Sequence, residues 1–387
     1  MNRGDGDATV AAAEKLVMDG LFSDEGRSDP HAVLRAASIP GIGYAFVREV
    51  LHDRRFVAPR VPESSDLMFH LLARFMPRLP PERHAPVRHR FSGIFTARRI
   101  DRYRGVVHSR SAALIDQMAA SGRCELVEAF AAPLPFTVIA EVVGVDPDRQ
   151  EWLRSSMATL GRAFAGQRSR PPVEAGNAAA AEMTAYFDDL LSKRAREPRE
   201  DLVSLLATEH SSGEERADLL ANCLFFILAG HATTTTMLCA GLELLLADPA
   251  LLRRLRQDPS GWDPAIEEIL RYVSPVTLTG VTATTDAVVE GHHMLAGAQR
   301  IVAYAAANRD PAVFADPDSF NASRTPNPHL AFSAGATFCL GAPLARLHAQ
   351  VALPMLIDRL PGLRLEGPLT WLGSTPLRQV EAMPVAW

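Results

Sequence analysis

The sequence predicts a mainly α-helical protein with small β-sheets. Apolar residues recur at helical spacing through most of the 387 residues, strand-like runs are few and short, and Pro- and Gly-containing breakers interrupt the pattern at intervals suited to helix connections. Taken in order, residues 1–20 are polar and Ala-rich and are expected to form a flexible tail. Helical periodicity then covers about 31–37, 44–52, 65–76, 85–94, 108–120, 150–165, 176–194 and 201–208. A long apolar helix is expected over 215–248, followed by helices at 250–256, 263–273 and 343–359. Strands are expected at 286–290, 299–306 and 377–386. Breakers fall at Pro77 to Pro81, Gln167 to Gly176, Arg196 to Arg199, and the Asp310-Pro311 and Asp316-Pro317 pairs. With no internal repeat and no clean linker, the expectation is one domain over 1–387.

Composition narrows the function. The chain is 47% hydrophobic and 22% charged with a net charge of −5, and no basic stripe speaks for nucleic acid. The spacings of Cys124, Cys223, Cys239 and Cys339 fit no zinc pattern. The polar opening MNRGDGDATVAAAEK does not read as a signal peptide, so a reducing cytoplasm with free thiols is expected. Leu219 to Leu246 is apolar enough to resemble a membrane span, yet it holds Asn222, His231, Thr233 to Thr236 and Glu243. A helix through the core of a large protein explains that mixture better, and no membrane contact is expected.

The chemistry concentrates around Cys339, in the stretch Phe332-Ser333-Ala334-Gly335-Ala336-Thr337-Phe338-Cys339-Leu340-Gly341. A lone cysteine ends a Gly-containing loop where an amphipathic helix begins. The open N–H groups and positive dipole end of that helix favour a thiolate. The same spacing also fits a buried cysteine in a helix-leading loop. The stretch resembles the haem-binding loop of the cytochrome P450 family, Phe-x-x-Gly-x-x-x-Cys-x-Gly, with Phe332, Gly335, Cys339 and Gly341 on the pattern. The resemblance runs from about Leu34 to Trp387. It implies the P450 fold, a triangular helical prism with haem b between the central long helix and the helix after the cysteine, and Cys339 as axial ligand of the haem iron.

Further motifs fall in the family's order. Glu268-Ile269-Leu270-Arg271 matches Glu-x-x-Arg, and with Arg324 the resemblance implies a structural cluster anchoring the segment before the cysteine loop. His84 and Arg88, one helical turn apart, are implied to bind haem propionates; a solvated basic face is the plainer alternative. In the central helix, Ala229, Gly230 and Thr233 match the oxygen-groove pattern Ala-Gly-x-(Asp/Glu)-Thr. A mid-helix Thr hydroxyl can bond the carbonyl four residues back and open a groove, or simply pack in the core. His231 points to nearly the opposite face and is read as a packed histidine, and His292-His293 as a turn.

Three departures stand out. Ala232 replaces the acid that normally helps relay protons toward the threonine. Thr337, a shorter neutral donor, replaces a basic residue two before the cysteine. Val281 stands where the family offers an Arg to the other propionate. The resemblance implies a monooxygenase that hydroxylates or epoxidises a small organic molecule with O2, in bacterial secondary metabolism. Electrons would come from a ferredoxin and an NAD(P)H-dependent reductase, since the chain carries no flavin or iron–sulfur domain; Arg346 and Arg88 are candidate docking cations. The altered relay keeps oxidative coupling, ring formation or nitration open, and a non-catalytic P450-like partner or activator protein forms another class. Candidate substrate contacts are Met68, Phe69, Leu72, Phe225, Phe226, Val276, Thr277, Leu278 and Thr279, with Gln167 to Gly176 as a possible lid.

Overall fold

The computed structural model describes all residues except 1–2, 22, 24–25, 27–28, 38, 62, 166–172, 208–212 and 373–376. The chain forms two compact units, one of Met1–Pro59, Val107–Pro133 and Ala232–Trp387, the other of Arg60–Val106 and Leu134–His231. Neither is contiguous and no linker divides them, so a single domain over 1–387 stays the reading we propose.

The first unit holds helices α1 (Arg3–Leu21) and α2 (Pro30–Ala36). Asp29 starts α2 by accepting the His31 and Ala32 N–H groups at 3.0 and 3.1 Å, and Pro30 adds a preset φ in the first turn. Helix α1 corrects the expected tail. Val17 and Leu21 are buried, and the buried Glu14 accepts the Ile301 N–H at 3.1 Å. An Ala-rich stretch is a good helix former, and tertiary burial supplied what its composition did not advertise.

All ten strands among the described residues belong to this unit. β1 (Phe56–Val57), β3 (Thr279–Ala283) and β6 (Gln299–Val302) make one antiparallel sheet, ordered β1-β3-β6. β2 (Arg123–Glu125), β10 (Pro384–Ala386) and β7 (Arg364–Leu365) make another. Two antiparallel pairs remain, the hairpin of β4 (Ala287–Val289) and β5 (His292–Met294), and β8 (Thr370–Leu372) with β9 (Gln379–Ala382). His292 and His293 therefore lie in a strand, not a turn; the turn is Glu290-Gly291, both at positive φ. The expected strand over 299–306 stops at Val302, and Tyr304–Ala307 is helical.

The second unit is helical among the described residues, with α3 (Leu67–Ala73), α4 (Pro81–Ser92), α5 (Pro133–Val143) and α6 (Val173–Arg196). α5 has no counterpart in the predicted elements. Of the expected lid, residues 167–172 lie outside the described residues and 173–176 begin α6. The central helix α7 (Gly213–Leu246) runs 34 residues and is long and apolar enough to cross a membrane. Polar residues in its first half are nonetheless satisfied by protein. Asn222 accepts the Met76 N–H at 2.6 Å and donates to the Arg74 carbonyl at 2.9 Å, while buried Asp218 pairs with Arg74 at 2.8 Å and with Arg83. That is the bonding of a core helix.

Candidate functional site

Helix α8 (Trp262–Val273) carries the Glu268–Arg271 pair, and both side chains are fully buried. Arg271 Nε and Nη2 each lie 2.8 Å from a Glu268 oxygen, a bidentate fork. Arg324 Nε donates to both oxygens at 3.1 Å, and Glu268 also accepts the Asn321 N–H at 2.9 Å and Asn327 Nδ2 at 3.1 Å. Burial alone would raise the Glu268 carboxyl, but these donors hold it below the usual range. Arg271 spends its remaining donors on the carbonyls of Asn308 and Pro317 at 2.8 Å and Ser319 at 3.1 Å. Asn308 extends the network: its Oδ1 accepts the Leu330 N–H at 2.6 Å, and its Nδ2 donates to Ser274, the left-handed residue that ends α8.

That network delivers the chain to the cysteine loop. Cys339 N–H donates to the Phe332 carbonyl at 2.9 Å, closing the loop on itself. Gly335 takes φ +59°, and a Cβ there would lie 2.6 Å from the Leu51 carbonyl oxygen, so only glycine fits. Gly341 then caps α9 (Ala342–Arg359), with Pro343 in its first turn. Cys339 is exposed, whereas Cys223 and Cys239 are buried and Cys124 half-buried. Burial pushes Cys124 up to about 11 and Cys223 up to about 12, and raises Cys239 further, so these three are inert thiols.

Arg346, on α9, forks onto Glu267 at 2.6 and 2.8 Å and stacks its guanidinium 4.7 Å over the Phe332 ring. His329 Nδ1 accepts the Ala331 N–H at 3.3 Å, which leaves Nε2 to donate to Glu267 at 3.0 Å. Burial opposes ionisation of Glu267, yet Arg346 and His329 hold it down to about 2. Arg346, expected as a docking cation, is instead committed to the loop. Thr337 is also corrected as a donor. Its hydroxyl donates to the Ala334 carbonyl at 3.0 Å and meets the Ser333 hydroxyl at 2.8 Å, bonds a short side chain makes within its own turn.

In α7, Leu228 to Thr233 form a partly accessible window between fully buried residues. Ala229, Ala232 and Thr233 lie in it, with Ala229 and Thr233 one helical turn apart. Beyond it, Thr235 donates to the Ala131 carbonyl at 3.1 Å and Thr236 to that of Arg378 at 2.9 Å. Gly230 was expected with the reacting groups, but a Cβ there would come within 3.1 Å of Ile139, so it serves the approach of α5 and α7. His231 stands edge-on to Phe136, ring centroids 5.6 Å apart.

His84 and Arg88 share a face of α4 (Pro81–Ser92), both half-buried. Burial first, and repulsion from Arg88 second, lowers the His84 imidazole below its ordinary value. Two basic groups that repel each other are relieved by an anion between them, which fits a propionate. The residue that sequence reasoning missed is Arg300. It opposes Val281 directly in the β3–β6 register, and opposed residues share one face of a sheet. That face packs Val281, Ala283 and Val302 with Leu330 and Ala334 at the head of the cysteine loop. Arg300 is 5% exposed, and burial lowers its guanidinium below the usual value. Strand register would have found it; residue spacing could not.

Several expected substrate contacts are core. Met68 is buried against Gly176, Phe226 stacks between Phe91 and Phe95 at 4.9 and 4.7 Å, Leu278 packs with Val17 and Ile301, and Thr277 is buried. Phe69, Leu72, Phe225, Val276 and Thr279 stay partly accessible. Among the described residues, no group of three or more His, Cys, Asp or Glu is placed to hold a metal ion directly.

An accessible thiol at a helix start, braced by a buried Glu-x-x-Arg network, is an arrangement that fits a haem-thiolate site. The comparisons agree. The family model "Cytochrome P450" matches residues 262–361. The biotin biosynthesis cytochrome P450 of Bacillus subtilis is 35% identical over 92% of this chain and 93% of its own length. The mycinamicin IV hydroxylase/epoxidase of Micromonospora griseorubida is 36% identical over 89% and 88%. Among solved structures, P450BioI in complex with a hexadec-9Z-enoic acid-ligated acyl carrier protein superposes with a TM-score of 0.87 at 34% identity, covering 94% of this chain and all of that one. The chain belongs to the cytochrome P450 family and has its fold; it is a monooxygenase acting on small molecules.

Proposed function

We propose that this P450 hydroxylates or epoxidises a largely apolar small organic molecule, using haem b and electrons from a ferredoxin served by an NAD(P)H-dependent reductase. The observation that carries the reading is the exposed Cys339 in a loop closed by its own hydrogen bond and anchored by the Glu268 network. Cys339 Sγ would ligate the haem iron, with Phe332, Gly335 and Gly341 shaping its loop. His84, Arg88 and Arg300 would hold the propionates, Arg300 replacing the arginine lost at Val281. The haem, when bound, supplies the activation of O2. The protein would hold the thiolate and offer the Thr233 hydroxyl as the proton-handling group in the α7 window. The acyl carrier protein bound to P450BioI supports a chain-like or carrier-delivered substrate here too.

The test is the spectrum of the dithionite-reduced protein with carbon monoxide, for wild type and Cys339→Ser. A strongly red-shifted Soret band in the wild type, absent from Cys339→Ser, is expected. The same band in both proteins would overturn the ligand assignment. Ala232 favours a second reading, oxidative coupling, ring formation or nitration, because no acid accompanies Thr233 in the window.

A further inference from the structure

Glu267 and Glu268 are consecutive on α8, so their side chains leave the helix about 100° apart. Glu268 goes to the buried Arg271 and Arg324 cluster, whereas Glu267 crosses to α9 and takes the Arg346 fork at 2.6 and 2.8 Å. One turn earlier on α8, Asp263 accepts from Gln350 Nε2, one turn later on α9, at 2.8 Å. Two polar contacts thus join these helices, and of the two only Glu267–Arg346 is a charge pair.

The place where that cation is held singles the pair out. The Arg346 guanidinium lies 4.7 Å over the Phe332 ring, and the Phe332 carbonyl accepts the Cys339 N–H at 2.9 Å. Phe332 also meets Phe338, the residue before the cysteine, edge to face with ring centroids 6.4 Å apart. The cation therefore rests on the ring that closes the cysteine loop. The Glu267 hydrogen bonds first, against the opposing effect of burial, and then the charges of Glu267 and of a Cys339 thiolate hold the guanidinium above its ordinary value.

Both members of the pair carry fixed charge near neutral pH. A guanidinium does not lose its proton in a protein, and the Glu267 carboxyl is held down to about 2. Such a pair cannot pass protons; it can set the field at the sulfur. A cation there stabilises negative charge on the thiolate and on a metal behind it, and a carboxylate opposes that effect. A cysteine ligand pushes electron density onto iron, so a field at the sulfur is felt at the iron. The two side chains are 32% and 31% exposed, which screens the effect without abolishing it.

We propose that Arg346 and Glu267 are positioning residues that set the reduction potential of the haem: Arg346, seated on Phe332, draws charge from the Cys339 sulfur, and Glu267 limits how much. This rests on the assignment of Cys339 as haem ligand. The test is the midpoint potential of the haem-loaded, substrate-free protein at neutral pH, measured by dye-mediated titration. Reduction adds negative charge to the haem, so removing the cation should lower the potential and removing the carboxylate should raise it. Arg346→Gln is expected to shift the one-electron equilibrium against reduction, and Glu267→Gln toward it, by about three- to tenfold each, the upper end being ~59 mV. Gln350→Ala loosens the same two helices without changing charge and should leave the potential at the wild-type value. A loop merely slackened by loss of the pair would move both glutamine variants in the same direction; that result, or no shift in either, would overturn the proposal. Should one glutamine variant purify without haem, the other is read against its charge-conserving partner, Arg346→Lys or Glu267→Asp. That partner should stay near the wild type, and a shift equal to that of the glutamine variant would overturn the proposal. Loss of haem from both glutamine variants would show that the pair only holds the loop shut. A wild type without the red-shifted carbon monoxide band would instead overturn the ligand assignment itself, which keeps the two failures apart.

Discussion

Arg300 stands opposite Val281, which is the basis for proposing that it takes over the propionate contact expected at Val281. The two face each other across β3 and β6, so a cation can be moved from one strand to the other without leaving the sheet face. Arg300→Val should therefore weaken haem retention by about ten- to a hundredfold, the value of a charge-assisted hydrogen bond. The double variant Val281→Arg/Arg300→Val should restore it, measured as haem transfer to apomyoglobin. A double variant no better than the single would show that Arg300 only packs. Ala232 permits a similar test. If proton supply limits the reaction, Ala232→Asp should raise hydroxylation and its coupling to NAD(P)H, by up to ~10²-fold for a regained proton relay. Unchanged turnover and coupling would mean that Thr233 and solvent suffice.

At the scale of elements, the most legible parts of the chain were those with a clean period or a fixed motif. The helices over 263–273 and 343–359 match Trp262–Val273 and Ala342–Arg359 closely, the first because one face is apolar and Ser274-Pro275 ends it, the second because Gly341 and Pro343 mark its start. Pro133–Val143 was invisible for the opposite reason. Leu134, Phe136, Val138, Ile139, Ala140, Val142 and Val143 are all buried, so no polar face gives it a period, and its two prolines read as breakers although they occupy its first turn. Among site residues, Glu268, Arg271 and Arg324 could be grouped from motif order alone. The commitments of Thr337 to its own turn and of Arg346 to Glu267 could not, since both depend on tertiary placement. The Glu268 cluster is where one substitution reaches furthest. Glu268→Gln leaves Arg271 buried beside a neutral amide, and should cost about 3–5 kcal/mol in denaturant unfolding. A loss below 1 kcal/mol would mean that the carbonyls around Arg271 hold it unaided.

For the whole molecule, the cysteine loop depends on a carboxylate held at low pKa. Glu267 titrates near 2 when folded, against a reference value of 4.5. A depressed carboxyl stabilises the fold fully above the unfolded value and loses that contribution as pH falls through the folded one. Wild type should thus exceed Glu267→Gln in stability by a constant margin above pH 4.5, and the margin should shrink toward pH 2. Parallel pH profiles for the two proteins would show that Glu267 is not the group concerned.

Gly335 carries a consequence for laboratory evolution of this scaffold. With its φ at +59° and the Leu51 carbonyl 2.6 Å from any added Cβ, the position offers no mutational freedom. A saturation library there should return glycine alone among clones that still colour red. Thr337, two residues on and exposed, is held by hydroxyl bonds to the Ala334 carbonyl and the Ser333 hydroxyl, so serine, which keeps the hydroxyl, is the replacement expected to survive there. Within one short loop, a library therefore meets one position closed by the backbone and another limited by a side-chain bond.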